Sequence, residues 1–180
     1  MPGRMFMQKL LWQGVKAQCN FAVLEVTSEG IRQYRHRLIN FDAAVFTNLS
    51  PEHIESHGGF ENYRKEKLKL FKTVKNVHII NVEDENAKYF LDVPANKKIT
   101  FGLQKGDFNL ENTKFQLNLL GSFNNYNALA AIAVASYYKV SLETCQKALI
   151  QIKGMPGRME IIQKDPFLVI VDYAHTPVQL

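Results

Sequence analysis

The stretch "VHIINV", residues 77–82, decides the fold. A short run dominated by Val and Ile, without strict alternation, reads as a strand covered on both faces. Working outward, "AAVFTN" at 43–48 and "FAVLEV" at 21–26 have the same character. Between these runs lie polar, helix-compatible segments at 28–36 and 59–72. Strands alternating with helices predict an α/β fold with a mostly parallel sheet flanked by helices. Upstream, Phe6, Leu10, Leu11 and Val15 recur at helical spacing, so the first helix is expected to end near Cys19-Asn20.

Downstream the pattern changes. "KKITFGL" and "TKFQLNLL", within 97–120, alternate apolar and polar residues and predict a small antiparallel portion. "FNNYNALAAIAVASYY" is Ala-rich and helical, and "SLETCQKALIQI" is a second helix with Ser141 as its N-cap. Gly154, Pro156 and Gly157 break that helix. "MEIIQ" and "FLVIVDYAH" then read as two more strands joined by a Lys-Asp-Pro turn. The last residues look like the start of another helix, so the chain is expected to be a piece of something longer.

Composition narrows the function. With 46% apolar and 22% charged residues, 180 residues suit one soluble domain. No run approaches the roughly 18 apolar residues of a membrane span. "MPGRMFMQKLLWQGVK" lacks the apolar region and cleavage site of a signal peptide. Cys19 and Cys145 have no metal-like spacing and fit reduced thiols in a cytoplasm. The net charge of +5 is spread among carboxylates rather than gathered into a stripe, which argues against nucleic acid. Even "YRKEKLKLFKTVK", 63–75, places Leu68 and Phe71 inward and its lysines outward as a helix.

Ligands of open parallel sheets bind at the carboxyl ends of the strands. Glu25, Asn48 and Asp172 lie near such ends. A carboxylate beside Thr27 and Ser28 suits Mg²⁺, which takes few carboxylates together with water and phosphate oxygens. An ordinary loop carboxylate is the alternative. Composition and spacing promote neither His53 nor Lys67 to a site.

Five short motifs in order decide more. "LEVTSEGIRQYR", "FTNLSPEHIESHGGFENYRKEKLKLF", "GSFNNYNALAA", "GMPGRMEII" and "VDYAHTP" together resemble the Mur ligases. These are ATP-dependent enzymes that add amino acids to a peptidoglycan precursor. The last two motifs favour the branch that joins a diamino acid to UDP-N-acetylmuramoyl-L-alanyl-D-glutamate. The resemblance implies that ATP phosphorylates the glutamate carboxylate and that the amine then attacks the acyl phosphate. It implies Mg²⁺ held by Glu25, His53 and Lys67, with Lys67 carbamylated into an anionic oxygen donor. It further implies that Thr27, Gln33 and Arg35 hold the UDP-linked substrate, and that Asn127, Arg158, Asp172 and His175 surround the ATP. Thr27 stands where serine is usual but keeps a hydroxyl. Glu52, Ser56 and Glu29 depart from the usual aspartate, tyrosine and histidine.

No Gly-x-x-x-x-Gly-Lys-[Ser/Thr] loop occurs in these residues. The chain is therefore expected to be a partial central domain over 1–173, without its first strand and phosphate loop, and 174–180 to begin a link. The N- and C-terminal portions of such an enzyme are missing, and little activity is expected of the 180 residues alone. The alternatives are a non-catalytic remnant binding a nucleotide-sugar or a partner, and a folylpolyglutamate synthase-like ligase.

Overall fold

A computed structural model describes residues 3–51 and 57–174. The described chain runs α1 (Arg4–Lys16), α2 (Ser28–Arg32), β1 (Ala43–Phe46), α3 (Phe60–Thr73), β2 (Val77–Asn81), α4 (Ala87–Leu91) and β3 (Lys97–Phe101). It continues through α5 (Leu110–Thr113), α6 (Phe123–Tyr137), α7 (Leu142–Gln151), β4 (Glu160–Gln163) and β5 (Val169–Val171).

The strand at 77–81 is the centre of the molecule, as its composition requires. All five of its residues are buried. It pairs in parallel with β1 on one side and β3 on the other, with Val45 opposite Ile79 and Ile79 opposite Ile99. One face of the sheet packs Phe46 and Ile80 against Phe71 of α3 and Phe90 of α4. There Phe46 and Phe90 stack at 3.8 Å, and Phe71 meets Phe90 edge-on at 4.9 Å. Each such ring contributes on the order of 1.5–3 kcal/mol through burial. The other face packs Val77, Ile79, Ile99 and Phe101 against Leu129, Ala130 and Ala133 of α6. Small side chains let that helix approach the sheet closely. A third cluster, around Ala128, Ile132 and Leu149, joins α6 to α7.

Polar pins fix the ends of the elements. Tyr138 donates its hydroxyl to Asp42 at 2.8 Å, just before β1. Burial and that bond push the Tyr138 hydroxyl up to about 12. His78 Nε2 lies 3.0 and 2.9 Å from the carbonyls of Phe71 and Val74, capping the end of α3 from within β2. Ser141 caps α7 by accepting the Thr144 N–H at 3.2 Å, as its position at the helix start predicts.

Three expectations are corrected. Residues 21–26 form no strand; Phe21 and Val23 are exposed, Val23 to 97%. An apolar run becomes a strand only when another strand completes its hydrogen bonds, and no described segment does so. The alternating stretch within 97–120 is not antiparallel: β3 is parallel to β2, and 114–118 are coil, with Phe115 and Leu117 packed against the cluster that joins α6 to α7. The antiparallel portion is instead β4–β5, with Glu160 opposite Val171 and Ile161 opposite Ile170. Finally, the helix expected over 28–36 stops at Arg32 and gives way to a turn with Tyr34 and Leu38 in the left-handed region. In α1 only Met7 is buried, while Phe6, Leu10 and Val15 are exposed.

Candidate functional site

Two groups of residues gather at the carboxyl edge of the sheet and beside it. The first is where α2 meets α3. Thr27 caps α2, its hydroxyl accepting the Gly30 N–H at 3.1 Å. Ser28, buried at the helix start, has its Oγ 3.0 Å from His57 Nε2. The His57 ring lies 5.2 Å from that of Tyr63, and the Lys67 ammonium sits 5.3 Å above the same Tyr63 ring. The segments around Thr27 and Lys67, forty residues apart in sequence, therefore adjoin. Glu25 is exposed two residues before Thr27, and its carboxylate makes no ion pair among the described residues. The Gln33 amide donates to Glu29 at 2.6 Å, and Arg35 is half-buried, its backbone N–H donating to the Gly30 carbonyl. His53 lies outside the described residues. Among those residues no three His, Cys, Asp or Glu side chains converge as a metal site. One exposed carboxylate next to a hydroxyl still suits a hard cation that takes its other ligands elsewhere.

The second group lines a cleft of about 1520 Å³. Asn48, Ser50 and Asp84 from the sheet edge form one wall, and Asn124 and Asn127 from the start of α6 another. Arg158 and Asp172 complete it. All three described residues expected around ATP thus share one cavity; His175 lies outside the described residues. The Asn127 amide donates to Asn124 at 3.1 Å. Asp172 accepts the N–H groups of Met159 and Ala174, both at 2.6 Å. Those bonds, with nearby Arg158, hold its carboxyl below the usual carboxylate range. Glu160 in turn accepts the Gly157 N–H at 2.7 Å. The "GRME" loop and the strand that leads into Asp172 are therefore knit together. The Arg158 guanidinium lies 4.8 Å over the Tyr173 ring, a cation–π contact that ties the same two segments at their side chains.

Several residues here escape a reading of the sequence. Glu83 follows β2 and accepts the N–H groups of Leu103, Gln104 and Lys105 at 2.9, 2.7 and 3.1 Å, and the Tyr126 hydroxyl at 2.7 Å. Burial pushes its carboxyl up, but these bonds outweigh it and leave the carboxyl lowered. Arg64 and Glu66, two charged residues of α3, are buried as well. The signal that could have found the group is "NVEDEN" at 81–86, a polar run directly after the central strand.

A cleft at the carboxyl edge of a parallel sheet is where open α/β domains take their ligands. Residues 1–135 match the Mur ligase middle domain, and the chain belongs to that family. It is 34% identical to a UDP-N-acetylmuramoyl-L-alanyl-D-glutamate--2,6-diaminopimelate ligase of Halalkalibacterium halodurans, over 99% of this chain and 42% of that protein. It is also 34% identical to a UDP-N-acetylmuramyl-tripeptide synthetase of Roseiflexus sp., over 94% of this chain and 40% of that protein. A solved structure of a UDP-N-acetylmuramoyl-L-alanyl-D-glutamate--2,6-diaminopimelate ligase superposes with a TM-score of 0.81 and 29% identity, covering 99% of this chain and 42% of that one. The chain thus spans about two fifths of the length of the relatives it matches. No described helix is long and apolar enough to cross a membrane.

Proposed function

We propose that these residues are the central part of an ATP-dependent ligase that joins a diamino acid to UDP-N-acetylmuramoyl-L-alanyl-D-glutamate. The observation that carries this reading is the single cleft shared by Asn127, Arg158 and Asp172 beside the carboxyl edge of a parallel sheet. The names of the relatives support the substrate class. In this reading residues 1–173 are a partial central domain, and 174–180 begin the link to the next. The reaction belongs in the cytoplasm, with which the free thiols of Cys19 and Cys145 agree.

Arg158 supplies fixed positive charge for a triphosphate, while Asp172 and Asn127 orient the nucleotide through hydrogen bonds. His175 adds a further contact. Thr27, Gln33 and Arg35 hold the UDP-linked dipeptide, with Arg35 facing an anionic group. Glu25, His53 and a carbamylated Lys67 supply the oxygen and nitrogen donors for Mg²⁺. When bound, Mg²⁺ neutralises charge on the phosphate oxygens during phosphoryl transfer. The glutamate carboxylate takes the phosphoryl group, and the incoming amine displaces phosphate from the acyl phosphate.

Thermal melting of the chain with each substrate tests this. UDP-N-acetylmuramoyl-L-alanyl-D-glutamate is expected to raise the melting temperature and a folate to leave it unchanged. The reverse result would overturn the substrate assignment in favour of the folylpolyglutamate-type reading. ATP-dependent phosphate release by the 180 residues alone is expected to be very low, because they contain no glycine-rich Gly-Lys phosphate loop. Turnover as fast as that of a complete ligase would contradict the reading.

A further inference from the structure

One turn holds the backbone of Leu49 at both of its polar groups. The Leu49 N–H donates to Asp84 Oδ2 at 2.8 Å, and its carbonyl accepts from Asn86 Nδ2 at 3.3 Å. Asn86 is itself fixed. Its N–H and Nδ2 donate to Asp84 Oδ1 at 2.8 and 3.2 Å, and its Oδ1 accepts from Arg64 Nη1 at 3.3 Å. Arg64 is 7% exposed, pairs with Glu61, and lies 3.5 Å over the Tyr89 ring. A guanidinium this deep is costly without partners, so its orientation is closely determined. The Leu49 side chain is buried in the core, while its neighbours Asn48 and Ser50 line the cleft.

We propose that Arg64, Asn86 and Asp84 are positioning residues of the cleft. By gripping the Leu49 peptide they set Asn48 and Ser50 against a bound nucleotide. Because Arg64 precedes Lys67 by three residues on α3, one helix serves both groups of the site. The nucleotide part of this inference rests on the function proposed above; the grip on Leu49 does not.

Asn86→Asp separates positioning from simple packing. It is nearly isosteric and keeps an acceptor for Arg64, but it loses the donor shared by the Leu49 carbonyl and Asp84 and sets a second carboxylate beside Asp84. Amide hydrogen exchange in the 180-residue chain, followed by NMR, is expected to accelerate about tenfold at Leu49, whose N–H Asp84 holds, with Ile79 in β2 unchanged. ATP affinity, measured by titration with MgATP, is expected to fall by a similar factor. Arg64→Met, which retains apolar packing on Tyr89, is expected to give the same local pattern. Unchanged exchange at Leu49, or equal acceleration at Ile79, would overturn the grip. Loosened Leu49 with unchanged ATP affinity would overturn the positioning role. If the unaltered chain takes up no ATP, the nucleotide reading and the cleft role fall together, while the exchange result still decides the grip.

Discussion

At the scale of single residues, two side chains make opposite kinds of prediction. His78 is fully buried, and burial lowers its pKa despite bonds to the Val74 and Phe71 carbonyls. The folded protein therefore binds its proton less readily than the unfolded chain, whose histidine titrates near 6.5. Stability is fully present above that value and is lost as pH falls below it. His36, lowered by burial and by Arg37, contributes with the same sign. Urea unfolding at pH 7.5 and 5.5 is expected to show a lower midpoint at the acid value, and His78→Gln is expected to reduce the difference. Lys67 makes a chemical prediction instead. Chain grown or incubated with ¹³C-bicarbonate is expected to show a carbamate signal that Lys67→Arg removes; a spectrum without it would leave Lys67 an ordinary ammonium beside Tyr63.

At the scale of elements, legibility follows the range of the interaction. The Ser141 cap is readable because its partner, Thr144, is three residues away. Ser141→Ala is expected to destabilise the protein by about 1 kcal/mol in a denaturant titration, the usual value of such a cap. β2 is readable because burial on both faces leaves a continuous apolar run. The run at 21–26 looks the same in sequence but lacks a described neighbour, and nothing in its residues reports that. Burial of Arg64 is equally hidden, since it depends on Tyr89 and Asn86, more than twenty residues away. Five motifs raise the candidate residues by resemblance, but only the folded chain brings Asn127, Arg158 and Asp172 to one cavity.

At the scale of the whole molecule, the sheet is the rigid reference and the helices are set at distances from it. Ala133 on α6 is completely buried against that sheet. It lies six residues along the helix from Asn127, about 9 Å at the usual helical rise. Ala133→Leu is expected to cost about 1–3 kcal/mol through overpacking, read as a lower denaturation midpoint. The same substitution is expected to weaken ATP binding without touching the ligand. On that expectation the Ala133 methyl group is a shim, whose thickness sets how far Asn124 and Asn127 stand from the opposite wall. The gap of the cleft is then an inherited dimension of the core, adjustable by repacking residues that do not line it.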